Sequence, residues 1–299
     1  MKRKVIQVAE STQLISLPRE WSKANNVKKG DEVDVQSEGN RLIVTTNAAN
    51  VTRRVTVDLT GMTKLRRPTL RGCYIKGYDE IEVIYSNPEY VQTIQQYVAE
   101  LPGFDIVRQG TTSCTIKEIS SPQPGEFENV LNRLFLLLSD TARTVSDALA
   151  GNDSQAIQSV QYREVSINKF ANFCRRLINK QQVRDVTRAP TEYLIISLLE
   201  LCGDEYKAIG TLLVDSSKST AQLKETLQRC ADQFAALYRL HSVYKNDAAI
   251  RNATEHDQLI VMVDKLSNVR GADVLVTHHV RSLVELLGDL REAILYKSV

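Results

Sequence analysis

Two acids four residues apart, Glu200 and Asp204, recur 85 residues later as Glu285 and Asp289. At i, i+4 on a helix, both carboxylates of a pair lie on one face, where like charges weaken an isolated helix by about 0.2–0.5 kcal/mol. Leu198, Leu199 and Leu201 flank the first pair, and Leu283, Val284 and Leu286 the second, so both would be partly desolvated. A cation between the carboxylates would turn repulsion into binding. Oxygen donors suit hard or borderline ions such as Mg²⁺, Mn²⁺, Fe or Zn²⁺. A Lys or Arg reaching across from a neighbouring helix would satisfy the same charges.

The acids belong to a longer repeat. Residues 197–209 read SLLELCGDEYKAI and residues 282–294 read SLVELLGDLREAI, with eight of thirteen positions identical. Self-similarity at a fixed offset marks a duplicated structural unit. Gly203 and Gly288 precede their Asp in both copies. Glycine inside a helix costs about 1 kcal/mol relative to alanine, so its duplication points to close approach of a neighbouring helix or a ligand.

Other constellations are weaker. His278 and His279 are adjacent, so their side chains diverge on a helix, and His241 and His256 are distant in sequence. Cys202 has Leu287 as its counterpart in the second copy, which favours apolar packing over reactivity. The five cysteines form no CxxC pair, an expectation of free thiols and a reducing, cytoplasmic setting. No Gly-rich phosphate loop, nucleotide fingerprint or Ser/His/Asp arrangement is visible, so enzymatic chemistry is not expected.

The elements that must hold these residues are helical. From about residue 122 onward apolar residues recur at helical spacing, as in Val130, Leu131, Leu134, Leu138 and Val145. Helices are expected over 126–149, 164–178, 191–214, 220–245, 247–267 and 272–297, with Pro190 between patterns, Asp153 or Ser154 as an N-cap, and a polar turn over 215–219. Three helices then three again, with the repeat on the third of each set, give two antiparallel three-helix bundles. Residues 51–119 read as β-α-β-α-β-β, a small α+β sandwich carrying a basic stretch, Lys64 to Arg71, that reads first as a solvated face.

Residues 1–47 differ in charge and pattern. Residues 1–76 carry 15 Lys/Arg against 7 Asp/Glu, whereas residues 77–118 carry a net charge of −5. Short strand-like runs around Val5 and Leu14 lead into Pro18 and a short helix, then Lys28-Lys29-Gly30-Asp31, a strand, a turn at Gly39 and a return strand. Such a unit buries little surface alone and is expected to pair with a second copy. The basic N-terminus lacks a following apolar stretch, so no signal peptide is expected, and no run of 18 apolar residues suggests membrane insertion.

The string LISLPREWSKANNVKKGDEVDVQSEGNRLIV resembles the AbrB/SpoVT swapped-hairpin family over about residues 3–46. That resemblance implies an intertwined homodimer binding DNA through basic residues at the first strand and short helix, here Lys2, Arg3, Lys4, Arg19 and Lys23. The physical basis would be neutralisation of phosphate, which is salt-sensitive. Over about residues 125–297 the two helical triplets are similar to the PhoU phosphate-regulator family, whose repeated motif commonly reads Glu-Arg-Ile-Gly-Asp. Here Leu201-Cys202 and Leu286-Leu287 stand where Arg-Ile is usual. The PhoU resemblance implies a divalent or trivalent metal ion (Fe, Zn, Mn or Mg) held by Glu200, Asp204, Glu285 and Asp289, with Glu164 on the second helix as a further ligand. Asn168, one turn on, is not an acid, and Glu255 and Asp257 are only roughly placed.

Together these features lead to the expectation of a cytoplasmic regulator of the phosphate response. Its hairpin dimer would bind DNA, and its PhoU-like bundles would bind metal and sense a partner or metabolite. The rival is a dimeric adaptor that does not bind DNA and docks a phosphate ABC transporter or signalling protein.

Overall fold

A computed structural model describes residues 2–8, 12–46, 52–62, 64–123, 125–151, 153–183, 185–214, 220–266 and 273–298. The expected turn at 215–219 and Pro124 lie outside these residues. The chain divides into two compact units, Met1–Arg53 and Arg54–Val299.

In the first unit, β1 (Ile6–Gln7) pairs antiparallel with β2 (Gln13–Leu14), and β3 (Val33–Glu38) with β4 (Arg41–Thr46). Between them lies α1 (Arg19–Ala24), started by Pro18 and closed where the Asn25 amide donates to the Trp21 carbonyl at 2.9 Å. None of α1 is buried. The expected strand–helix–hairpin order is therefore present, as two separate two-stranded ladders within one chain.

The second unit opens with a four-stranded sheet ordered β5-β6-β8-β7, from β5 (Arg54–Asp58), β6 (Glu80–Ile84), β7 (Phe104–Gln109) and β8 (Ser113–Glu118). β5 and β6 run parallel, joined through α2 (Arg66–Ile75); the other neighbours are antiparallel. α3 (Tyr90–Val98) completes the β-α-β-α-β-β order. The ladder slips at Val107 between Ile106 and Arg108, which leaves Val107 exposed. Pro68 lies inside the first turn of α2, where its missing N–H costs no hydrogen bond, so it starts the helix instead of interrupting the basic stretch.

Six long helices follow: α4 (Glu126–Gly151), α5 (Ser154–Asn179), α6 (Ala189–Val214), α7 (Ala221–Ser242), α8 (Asn246–Leu266) and α9 (Val274–Ser298). Their starts are chemically marked. Asp153 accepts from the amides of Gln155 and Ala156, Thr220 from Leu223, and Asp273 from Leu275 and Val276. Asp153 is thus the N-cap, and α5 begins ten residues before the expected 164. Pro190 likewise lies in the first turn of α6, not between helices.

α4, α5 and α6 pack into one bundle and α7, α8 and α9 into the next, joined along α6–α9 and α4–α7. Each copy of the repeat is on the third helix of its bundle, so the two copies face one another's helices. The expected pair of three-helix bundles is the observed architecture. Among the described residues no helix is long and apolar enough to cross a membrane.

Candidate functional site

In the first unit, all five basic residues singled out in the sequence are exposed. Lys2, Arg3 and Lys4 run into β1; Arg19 and Lys23 sit one turn apart on α1 and so share a face. None forms an ion pair among the described residues. Beside them is an unusual quantity of open apolar surface: Val5, Ile6, Val8, Leu14, Ile15, Val35 and Leu42 are each more than half exposed. A unit this small has no core of its own to hide them.

In the first bundle, the structure brings Glu164, Glu200 and Asp204 into one electrostatic neighbourhood across α5 and α6. Their charges are met from within the protein. Arg175 on α5 places Nη1 2.5 Å from Glu200 Oε2, and its Nη2 donates to Ser197 Oγ at 3.2 Å. Lys207 on α6 reaches Glu164 Oε2 at 3.1 Å, while Asn168 donates to Glu164 Oε1 at 2.6 Å. Asp204 is left on the outer face. Its carboxyl is pushed above the usual range by desolvation, then by the charges of Glu200 and Glu164. Cations of the protein thus occupy oxygens that a metal would need. Among the described residues no group of three or more His, Cys, Asp and Glu is placed to hold an ion. As arranged, Glu200 and Glu164 are neutralised by protein cations without a metal.

The second copy is built differently. Glu285 and Asp289 are both exposed, with no ion pair or hydrogen bond among the described residues. Behind them, His256 of α8 fills the place that Ile167 of α5 takes in the first bundle. A Cβ on Gly203 would stand 3.0 Å from Ile167 Cγ2, and one on Gly288 2.8 Å from His256 Nε2. Both glycines therefore mark close approach of a neighbouring helix. His256 is buried, with Nδ1 lacking a hydrogen-bond partner among the described residues. Burial, then the neighbouring Arg291, lowers its pKa and favours the neutral ring, against the pull of Asp257 and Asp289.

Two polar constellations escaped the sequence reading. Arg176, fully buried, donates from Nη1 to the Tyr74 and Tyr78 carbonyls, both at 2.8 Å, and packs against both the Tyr74 and Phe104 rings. Its Nη2 is 3.1 Å from Asp79 and 3.2 Å from Glu118, which Lys180 also bridges. This network fastens α5 to the α/β layer. At another end of the bundles, buried Glu192 meets Lys297 at 2.9 Å and His241 at 3.6 Å, beside a cavity of about 380 Å³. Burial opposes the Glu192 charge, but His241 and Lys297 outweigh it and hold the carboxyl below its ordinary value. Neither constellation has a local motif, because each joins residues from three or more separated segments. The other two histidines do not diverge as expected: His279 reaches Glu205 at 2.7 Å across α6 and α9, with the His278 ring edge-on beside it.

All five cysteines are free and buried, Cys202 included, and burial pushes its thiol up. The apolar reading of that residue matches its place in the core.

Residues 6–50 match the family model of MazE, a bacterial antitoxin, described as antidote-toxin recognition. This part of the chain is a MazE/AbrB-like domain. Among solved structures, the phosphate transport system regulatory protein PhoU from Streptococcus pneumoniae is similar over 58% of this chain and 94% of its own, at 18% identity and a TM-score of 0.49. No curated protein sequence matches the chain.

Proposed function

We propose that this chain is a DNA-binding transcriptional regulator of the phosphate response. It acts as a homodimer through its MazE/AbrB-like unit, with the helical bundles as the sensing part. The observation that carries this reading is the first unit's surface: five exposed cations without acidic partners among the described residues, and seven exposed aliphatic side chains. A second copy laid against the aliphatic residues would bury them, at a gain of about 25 cal/mol per Å². Pairing would also place two basic faces on one rigid body, as a two-fold symmetric DNA site requires. The cations would contact phosphates, giving affinity and register; base readout would come from other side chains.

The phosphate assignment is supported by the duplicated Glu-x-x-Gly-Asp helix and its resemblance to the PhoU pattern. Effector binding at the bundles would act by changing the spacing or mobility of the paired DNA-binding faces.

The test is an electrophoretic mobility shift of the full chain on sheared genomic DNA, with Arg3→Ala/Lys4→Ala and Arg19→Ala/Lys23→Ala as variants. Each double variant is expected to weaken binding at least tenfold without changing the oligomeric state. Unchanged affinity in both would overturn the DNA assignment and favour the adaptor, which would be sought as a complex with a phosphate transporter or signalling protein.

A further inference from the structure

Some cations of the two bundles are used differently. In the first, Arg175, Arg176, Lys180 and Lys207 are all consumed by carboxylates of the protein. In the second, Arg239, Lys245 and Arg251 make no ion pair among the described residues, and all three line one groove. That groove, about 530 Å³, runs where α7 ends and α8 begins. Its size lies within the range of small-molecule sites. Glu255 is the single acid on its wall, so the lining carries a net charge of +2. The C-terminus of α7 and the N-terminus of α8 meet here, so their opposed dipoles offset and the side chains decide the sign of the field.

The rest of the lining is not an ordinary solvated basic face. Tyr238, Leu240, Val243, Ala236 and Ala248 supply apolar wall. Asn252 also lines the groove and is completely buried. Its side-chain carbonyl and backbone carbonyl both accept from Gln233 Nε2 at 3.2 Å, but its own amide nitrogen has no partner. A buried donor left unpaired is costly, so an unpaired amide beside three cations that make no ion pair among the described residues suggests an acceptor-rich ligand. By contrast, the cations lining the cavity at Glu192 are both paired, Lys297 with Glu192 and Arg188 with Asp185 at 3.1 Å, and Glu128 adds a further acid.

We infer that the groove between α7 and α8 binds a phosphate-bearing small molecule. Arg239 and Arg251 would clamp the phosphate, Lys245 would add a third charge, and the body of the ligand would lie on the apolar wall. Guanidinium groups suit this role because their planar fork can bond phosphate oxygens in pairs. The site would supply the sensing that the proposed function assigns to the bundles. It is independent of residues 1–53, so its failure would leave the DNA assignment intact.

The experiment is isothermal titration of the full chain with adenosine monophosphate, inorganic phosphate and adenosine. Adenosine monophosphate should bind, and Arg239→Ala and Arg251→Ala should each weaken it roughly tenfold, the scale of one charge-assisted hydrogen bond. Lys117→Ala, which does not line the groove, should leave binding unchanged. Phosphate binding as tightly as the nucleotide identifies the free ion as the ligand's source, whereas tighter nucleotide binding identifies an organic phosphate. The inference is overturned if neither phosphate compound binds at millimolar concentration. It is equally overturned if binding survives both Arg substitutions, or if adenosine binds as well as its phosphate.

Discussion

The two bundles carry the same helix with the same acids and the same glycine, yet they treat charge differently. In the first, Glu200 is answered by Arg175 and Glu164 by Lys207, and α5 is fastened to the α/β layer through Arg176. In the second, Glu285 and Asp289 face outward, a histidine lies under the glycine, and Arg239 and Arg251 make no ion pair among the described residues. What both copies retain is the close helix approach that only glycine permits. The surrounding charges, which packing does not dictate, have diverged. Around its acids the first bundle commits Arg175 and Lys207 to carboxylates, whereas among the described residues Arg239, Lys245 and Arg251 of the second make no ion pair.

The largest expected effect breaks the first bundle's anchor. Arg176→Met would strand Asp79 and Glu118 near a buried surface and remove two hydrogen bonds to backbone carbonyls. The cost is about 3–5 kcal/mol in denaturant unfolding, as for a broken buried pair. Lys180 still neutralising both carboxylates would show as a loss well under that range.

A matched pair of substitutions sharpens the contrast between the copies. Arg175→Met leaves Glu200 largely enclosed without its cation and should cost about 2–3 kcal/mol. Glu285→Ala removes an exposed, unpaired acid and should stay within about 0.5 kcal/mol. Equal effects would show that the two copies are electrostatically equivalent after all. Chelator treatment should leave unfolding of the parent protein unchanged, since Glu200 and Glu164 are already neutralised by Arg175 and Lys207. A chelator-sensitive melting temperature would restore the metal reading.

Gly288→Ala tests the shared geometry. The new methyl group would meet the buried His256 ring, an overpacking of about 1–3 kcal/mol, reduced by the roughly 1 kcal/mol that alanine gains in a helix. A net loss of up to about 2 kcal/mol is expected in thermal unfolding; a gain would show that His256 swings aside freely.

The smallest effects concern pH, and they have opposite signs in the two bundles. His256 has its pKa lowered in the folded state, so the native protein binds fewer protons there than the unfolded chain. Stability should fall as pH drops below the ordinary value of 6.5, and His256→Gln should blunt that fall. Asp204 has its pKa raised, so the penalty on its charge is full at neutral pH and disappears as pH falls through the folded value toward 3.8. Asp204→Asn should therefore raise the melting temperature slightly at pH 7 and not near pH 3.

Much of this architecture could be read from the sequence because periodicity and turn chemistry are local. The alternating strands around Gly39, the β-α-β-α-β-β order and the apolar stripe from Val130 to Val145 all followed from short windows. The duplicated Gly203 and Gly288 pointed to close approach of a helix or a ligand, and the structure places a helix side chain against each. Boundaries failed where a cap outweighed an apolar pattern: Asp153 starts α5 early, and Pro190 opens α6 from inside its first turn. The sites were less legible because their partners come from distant segments. Arg175 and Arg176 are neighbours in sequence, but about 100° apart around a helix they serve different layers. One meets Glu200 and the other enters the α/β layer, and nothing local distinguishes them. Arg239, Lys245 and Arg251 straddle a helix–helix turn and form no motif until α7 and α8 fold back on one another.

The central claim, that the first unit binds DNA as a dimer through backbone phosphates, is tested most directly by salt dependence. Fluorescence anisotropy of the full chain on duplex DNA would be followed across potassium chloride concentrations. Ten cations per dimer set an upper limit near −9 for the slope of log affinity against log salt, at about −0.9 per neutralised phosphate. The account predicts a steep slope that becomes shallower by about two for Arg19→Ala in both subunits of the dimer. Absent binding at low salt, or a slope near zero that Arg19→Ala leaves unchanged, would contradict it.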